Sequence, residues 1–470
     1  MTMDPTPAAE AAALNPTSTA SPAKPASWRT TWPVPAAVLL TCLLFAAHLT
    51  RAGAHGTALA CLIWALLCFM RRAWMRCACT VILCVFAVRW FMTGSSLIQM
   101  RLMMGAPWLR LVAIIGGIAL FTLLSCALVW SGKGRGWFYK KQEHALPMAL
   151  GFLLTCLLML PPLSSYPPML LADRFLRFQA GSLQVLAAGL WAAFVAGRLL
   201  NKSLAAKTRL RIWPLFSLVF FAQFALALAG YGIFSMTGSL HIPVPGVIIG
   251  GAVYRLHPGF MLFLFLFSVI LAGPAWCSHL CYFGSWDALA ASCSKPSPHP
   301  HPLRLRIVSL VVVIVCALAL RLAGAPTEAA CACGIFLGIL IIPAALLFSR
   351  KKGIPVYCTM ICPLGLISCL AGRLSPWRMR TSSKCTQCGA CAKICRYGAL
   401  TKETLQKGRP GLSCTLCRDC EAACRHGAMQ LTFAGRCGQT VGRDGIPAAE
   451  QVFAAIVSAL HAAFLFTAMV

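Results

Sequence analysis

The segment Ile212–Ser235, IWPLFSLVFFAQFALALAGYGIFS, contains no charged side chain along its whole length. A helix of about 20 apolar residues is long enough to cross the hydrocarbon core of a membrane, which is roughly 30 Å thick. Similar segments recur along the 470 residues, of which only 11% are charged and 59% are hydrophobic. Since ordinary globular proteins contain about 25% charged residues, the sequence predicts a polytopic α-helical membrane protein.

We predict eleven membrane spans, with a soluble segment between the last two. The third span contains Arg89; because a charge is costly in hydrocarbon, this side chain either faces the bundle interior or marks a segment that does not cross. The predicted spans are 33–50, 53–70, 77–93, 108–130, 145–162, 180–197, 213–235, 257–276, 306–323, 332–349 and 451–469. The predicted domains are a disordered tail at 1–29, a transmembrane module without an assigned role at 30–211, a second transmembrane module at 212–371, a soluble insert at 372–446 and a last transmembrane helix at 447–470.

The chain carries 41 Lys and Arg against 11 Asp and Glu, a formal charge of +30. Nucleic-acid-binding proteins also have such an excess, but here most basic residues lie in alternate loops, which include 198–211. Loops rich in Lys and Arg stay on the cytoplasmic side of a membrane. The sequence therefore predicts contact with membrane lipid, a cytoplasmic N-terminus, a cytoplasmic insert, outward-facing segments at 163–177 and 236–256, and no nucleic-acid partner.

The insert contains two cysteine arrays, KCTQCGACAKICRYGAL from Lys384 and SCTLCRDCEAACRHGAM from Ser413. In their spacing, C-x2-C-x2-C-x3-C, three close cysteines bind corners of a four-iron cube and the fourth binds the neighbouring cluster. Zinc is the alternative, but its ligands usually form two close pairs that lie about a dozen residues apart. We therefore predict a small α+β ferredoxin-like domain with two [4Fe–4S] clusters, one bound by Cys385, Cys388, Cys391 and Cys424, and the other by Cys414, Cys417, Cys420 and Cys395.

A second cysteine pattern lies at the ends of two predicted spans. Cys277 and Cys281 occur in WCSHLCYFGSWDAL, and Cys358 and Cys362 occur 81 residues later in YCTMICPLGLISCL. An out-and-back pair of spans separates the two C-x3-C pairs, so both lie on the same membrane side. The i, i+4 spacing predicts that the two sulfurs of a pair share one helical face. The four thiols are candidates for one additional redox or metal site; the alternative is that they are small buried apolar residues.

The C-x3-C-P-[LF]-G repeats at helix ends, the membrane spans and the two-cluster motif together resemble the bacterial membrane polyferredoxins. That group includes the nitrous-oxide-reductase regulators, the membrane electron donors of periplasmic nitrate reductase and the membrane cupric reductases. The resemblance covers about residues 213–430 and implies an electron carrier of the bacterial inner membrane. Tyr282 replaces the Pro of the first repeat, and Arg396 and Arg425 replace the Pro that usually follows each array. Positive charge beside a cluster is expected to raise its reduction potential.

Two functions remain open at this point. The first is an electron carrier, or an oxidoreductase subunit, that relays electrons between a cytoplasmic redox protein, two [4Fe–4S] clusters and a membrane partner such as quinone or a membrane or periplasmic oxidoreductase. The second is a maturation or regulatory factor that senses redox state or reduces a metal such as copper for a partner enzyme. A transporter is disfavoured because no predicted span contains an acidic residue.

A further metal site is a separate candidate at the opposite membrane face. Cys331 and Cys333 lie there in EAACACGIF, and the segment 92–104 contributes four methionines. Thiolate and thioether sulfurs are soft ligands that favour Cu(I). Methionines in an apolar segment are also ordinary packing residues, so the sequence leaves both interpretations open.

Overall fold

The computed structural model describes residues 28–140, 144–176, 179–235, 244–297, 302–435 and 446–467. Of the predicted tail at 1–29, all but the last two positions lie outside these ranges. Within the described ranges, ten helices are long and apolar enough to cross a membrane. The predicted second span, 53–70, is a shorter apolar helix, His55–Met70. The protein is helical and polytopic, as the sequence predicts.

The first module is a helical bundle around an aromatic core, in which Trp64 stacks on Phe152 with ring centroids 5.0 Å apart. Helix α4 (Ala73–Met103) buries Leu83, Phe86 and Trp90 on one face. Arg89 falls between these positions and is exposed, so it does not face the bundle interior, which was the first of the two alternatives. The second alternative, a segment that does not cross, is not supported either, because α4 is long and apolar enough to cross a membrane. The helices of this module are α1 (Trp28–Thr31), α2 (Pro33–Arg51), α3 (His55–Leu67), α4 (Ala73–Met103), α5 (Leu109–Trp130), α6 (Gly132–Trp137), α7 (Ala145–Leu158), α8 (Leu160–Ser164), α9 (Leu171–Phe175) and α10 (Gly181–Leu200).

One helix of the second module lies within 236–256, which the sequence predicts to be an outward-facing segment between two spans. This is α12, which begins at Pro245, a residue suited to the first helical position because it needs no hydrogen bond from its nitrogen. It packs against α16 (Pro302–Leu322) and α17 (Thr327–Lys352). The helices of this module are α11 (Lys202–Leu228), α12 (Pro245–Arg255), α13 (Phe260–Ala272), α14 (Trp276–His279), α15 (Tyr282–Ser292), α16 (Pro302–Leu322), α17 (Thr327–Lys352) and α18 (Pro363–Ala371).

The insert is a small α+β unit. Strands β1 (Trp377–Thr381) and β2 (Met429–Phe433) pair antiparallel, with Met379 opposite Leu431. These two side chains are buried with Leu405 in one apolar core, which also contains Cys391 and Cys420. Three helices of about one turn connect the strands: α19 (Ala390–Ile394), α20 (Lys402–Gln406) and α21 (Asp419–Ala423). The last helix, α22 (Ala448–Thr467), packs against α7 and α10 and so returns the chain to the first module.

Candidate redox centre

The first candidate cluster site is a cavity at the surface of the insert. Its lining includes Cys385, Cys388 and Cys391 of the first array together with Cys424 of the second. The backbone between the first three cysteines turns through left-handed residues at Gln387 and Gly389, and only then does α19 begin. These turns place three thiols of a seven-residue stretch around the same space. This grouping is the crossed one that the cysteine spacing predicts; ligation itself stays a prediction.

The second candidate site repeats this construction at the inner side of the insert. Cys414, Cys417 and Cys420 line one cavity together with Cys395 of the first array. The left-handed turns recur at Leu416 and Arg418. The backbone N–H of Ala399 donates a hydrogen bond to Cys395 Sγ over 3.3 Å, and that of Ala428 donates one to Cys424 Sγ over the same distance. Each array therefore holds its fourth thiol in the same way and directs it to the other array's cavity.

The environments of the two sites differ. Cys388 is exposed, and the backbone N–H of Ala390 lowers the pKa of its thiol. Burial raises the pKa of Cys414 to about 12 and that of Cys420 well above its ordinary value. Since cluster iron binds thiolates, loading the buried site releases protons that its free thiols would otherwise keep. The first site faces the surface, whereas the second is enclosed between the insert and the membrane helices.

The donor groups in the second cavity fit an iron–sulfur cluster. The hydroxyls of Tyr397 and Thr415 are buried there, and neither has a hydrogen-bond partner among the described residues. A cluster bound by the four thiols would place sulfur acceptors in the same cavity. In the described part of the chain, no group of three or more His, Cys, Asp or Glu side chains is spaced to hold a single metal ion.

The two C-x3-C pairs come together beneath the insert. Cys277, Cys281, Cys358 and Cys362 are all buried, and each lies close enough to the other three for electrostatic interaction. The expectation that each pair shares one helical face is wrong. Both second cysteines have extended backbone and stand just before the next helix, α15 or α18. In both repeats an i+5 hydrogen bond, Cys281 N to Trp276 O and Cys362 N to Tyr357 O, widens the turn between the cysteines.

Each repeat supports the cysteines of the other. Asp287 of the first repeat is buried and accepts a hydrogen bond from the backbone N–H of Cys358 over 2.8 Å. Its other oxygen accepts one from the hydroxyl of Ser349 over 2.5 Å. Ser368, which follows Asp287 by the same 81-residue interval as the cysteines, lies beside Cys277. The two repeats therefore form one unit around the four thiols.

This unit touches the second candidate cluster site directly. The hydroxyl of Ser278, between Cys277 and Cys281, donates a hydrogen bond over 2.8 Å to the carbonyl oxygen of Thr415 in the second array. Buried Tyr397 lies within electrostatic range of both Cys358 and Cys417. These contacts make a continuous packed connection from the insert to the membrane helices.

Cys369 also belongs to this region, although the spacing of the cysteines in the sequence did not indicate it. It is buried and lies within electrostatic range of Cys277 in the membrane module and of Cys414 in the insert. Cys369 is the third cysteine of YCTMICPLGLISCL. The first repeat has Ala288 at the equivalent position, so a comparison of the two repeats does not indicate this cysteine as a site residue. Cys369 adds a fifth thiol at the junction.

Buried polar contacts fix the insert against the helices. Arg396, one of the residues that replace Pro, donates from Nη1 to the carbonyl oxygens of Ala291, Ser294 and Gly353 over 2.5–2.9 Å. Arg209 of α11 forms an ion pair of 2.8 Å with Asp419, and both side chains are largely buried. Arg396 therefore has a docking role beyond the effect on cluster potential expected from its charge.

A second network holds Arg418 in its left-handed conformation. This backbone region disfavours residues that carry a Cβ atom, and the first array has Gly389 at the equivalent position. Arg418 donates to Glu421 over 2.8 Å and to Glu450 of α22 over 2.6 Å. Lys202 of α11 completes the network with Glu421. These ion pairs connect the second array to α11, which precedes it in the sequence, and to α22, which follows it.

Comparison with known protein families agrees with this geometry. A family model described as a 4Fe-4S binding domain matches residues 381–401, which contain the first array. A second model with the same description matches 258–297 and 334–382, which contain the two C-x3-C pairs. The chain is thus an iron–sulfur protein with ferredoxin-type domains. No curated protein and no solved structure matches it.

The candidate copper site brings together its two cysteines but not its methionines. Cys331 and Cys333 line an apolar cavity between α12, α16 and α17, and no methionine is among the described residues that line it. All four methionines of 92–104 are exposed, three of them on α4 and Met104 just after it. The structure does not bring these methionines into the cavity with the two cysteines.

Proposed function

We propose that this protein relays single electrons between a soluble redox protein that docks on the insert and a carrier within the membrane. Bound [4Fe–4S] clusters supply the one-electron redox chemistry, which the protein tunes through hydrogen bonds, charge and burial. The chain's own residues position three groups of thiols in series. These are the surface array site, the enclosed array site and the C-x3-C unit.

The main support for this proposal is one hydrogen bond between the insert and the membrane module. The hydrogen bond from Ser278 to the carbonyl oxygen of Thr415 joins the loop of the enclosed site to the loop of the first C-x3-C pair. Both residues are buried, so no solvent layer separates the loops. The exposed Cys388 at the other end of the series offers a surface where a soluble partner can approach. This order supports a cytoplasmic partner at the first site and a membrane partner beyond the C-x3-C unit.

We infer that the C-x3-C unit forms the third redox site, because its four thiols converge and the matching family model is described as a 4Fe-4S binding domain. An apolar cavity of about 280 Å³ between α12, α16 and α17 reaches this unit at Tyr357, Ile361 and Pro363. Lipid-soluble ligands bind in mostly apolar pockets with a few polar groups. A quinone is therefore our candidate for the membrane carrier.

Electron transfer to a membrane carrier tests this proposal. We expect the Cys358→Ser, Cys362→Ser double variant to lose reduction of a soluble quinone analogue by the chemically reduced protein, while the two array sites keep their iron and their spectra. Cys293→Ser is the matched control, because Cys293 is an exposed cysteine in the same module. Unchanged quinone reduction in the double variant would show that these thiols are only buried packing residues.

A further inference from the structure

A basic cleft of about 610 Å³ lies between the insert and the ends of the membrane helices. Among the residues that the structure describes, no Asp or Glu lines the cleft. Two cysteines, Cys369 and Cys414, lie on its walls, so it adjoins the enclosed array site. Four arginines line it: Arg373, Arg378, Arg380 and Arg409.

None of the four guanidinium groups is neutralised by an acidic side chain that the structure describes, and two of them differ in how they are held. Arg378 is tied to the backbone, because its guanidinium donates to the carbonyl oxygens of Gly372 and Arg373. Burial, with the neighbouring charges of Arg380 and Arg373, lowers the pKa of Arg378. The Nε of Arg380 is buried without a hydrogen-bond partner. In the described ranges, no ion pair involves any of the four. The cleft thus concentrates guanidinium groups that lack a counter-ion.

Phosphate is the anion that this arrangement suits best. Guanidinium groups bind phosphate oxygens through paired, charge-assisted hydrogen bonds. A volume of about 610 Å³ falls within the range of roughly 300–1,000 Å³ typical of small-molecule sites. The cleft therefore has both the donors and the space for a phosphate-bearing head group.

Two leucines beside the arginines indicate where the phosphate comes from. Leu370, on the last turn of α18, is 46% exposed, and Leu374 is 76% exposed. They flank Arg373 in the sequence, and Pro274 from the end of a candidate membrane span lines the same cleft. Exposed apolar side chains next to basic ones are typical of a segment at the lipid interface.

We propose that the cleft of Arg373, Arg378, Arg380 and Arg409 binds the phosphate of an anionic membrane lipid, with Leu370 and Leu374 against its acyl chains. The lipid head group lies beside Cys414 and so fixes the membrane-facing side of the insert. This inference is independent of the electron relay, because lipid binding by arginine needs neither iron nor a redox partner.

Titration of short-chain lipids onto the full-length protein in detergent tests this proposal. The probes are dioctanoyl phosphatidylglycerol, zwitterionic dioctanoyl phosphatidylcholine and inorganic phosphate. The test variant replaces Arg373, Arg380 and Arg409 by Gln and leaves the backbone-bound Arg378 in place. The control variant removes the same charge from exposed positions outside the cleft, Lys384, Lys402 and Lys407.

We expect phosphatidylglycerol to bind the wild type, and its affinity to fall about a hundredfold in the arginine variant, at about fivefold for each basic residue removed. The control variant should stay close to the wild type. Equal losses in both variants, or no preference for phosphatidylglycerol over phosphatidylcholine, would overturn the proposal. Inorganic phosphate that binds as tightly as the lipid would overturn the assignment to lipid. If the triple variant does not fold, Arg409→Gln alone should weaken binding about fivefold, and unchanged binding would overturn the proposal.

Discussion

Arg396→Met should weaken the docking of the insert on the membrane helices while leaving the array sites intact. The three carbonyl acceptors of Arg396 come from the end of α15, the loop after it and the residue after α17. All three bonds use Nη1, which has two hydrogens, so they amount to about two full hydrogen bonds. At about 1.5–3 kcal/mol for each bond to a charged group, the gross contribution is about 3–6 kcal/mol.

The net contribution is smaller, because burial disfavours the charged guanidinium and lowers the pKa of Arg396. We therefore expect Arg396→Met to cost about 3 kcal/mol, which is more than a hundredfold in the docking equilibrium. Methionine keeps most of the aliphatic stem, so the loss reports on the polar contacts. Arg425→Met is the matched control, because Arg425 has the same position in the second array but is exposed. It should change the equilibrium by less than about 0.5 kcal/mol.

Hydrogen exchange of the full-length protein, followed by mass spectrometry, measures the effect. In Arg396→Met, amides at 291–297 and 350–356 should exchange about a hundredfold faster, while β1 and β2 keep their protection. Iron content and the electron paramagnetic resonance spectrum check that the insert remains folded. Equal exchange in the Arg396 and Arg425 variants would refute the docking role of Arg396.

Three further predictions concern ligation, potential and topology. Cys424→Ser should damage the cluster of the first array, and Cys395→Ser should damage the cluster of the second array. Paramagnetic resonance distinguishes the two clusters, and the opposite pattern of losses would contradict crossed ligation. Tyr397→Phe should lower the reduction potential of the second-array cluster alone, because hydrogen bonds to cluster sulfurs raise the reduction potential. Equal potentials in redox titrations of the variant and the wild type would show that the Tyr397 hydroxyl makes no hydrogen bond to the cluster. Cysteine labelling of intact cells should find 198–211 protected and 236–256 accessible, and the reverse result would invert the proposed topology.

The features that the sequence indicates most clearly depend on short stretches of chain. Hydropathy identifies membrane helices because an apolar segment in lipid has no water to bond its backbone groups, so it must pair them within itself as a helix. The spacing of each array predicts which cysteines meet, since left-handed turns at Gln387 and Gly389 gather three thiols within one loop. Both signals need no knowledge of the tertiary structure.

The remaining features depend on contacts between distant segments. Arg209 and Asp419 are 210 residues apart, and in the sequence Arg209 indicated topology rather than a buried ion pair. The i+5 turn between Cys358 and Cys362 removes the regular helix on which the one-face prediction relied. Arg396 was visible as an unusual residue in place of Pro, but its three carbonyl partners belong to other elements. Such partners become apparent only after the modules have packed.

An anaerobic redox titration of the reconstituted full-length protein, monitored by paramagnetic resonance and combined with iron analysis, tests whether the arrays bind redox-active clusters. We expect about eight irons to belong to the two arrays, as two cubanes with separate reduction potentials. Replacing the eight array cysteines by Ser should remove both signals and that share of the iron. Zinc without iron in the arrays, or array signals that persist in the eightfold Ser variant, would refute the proposed electron relay.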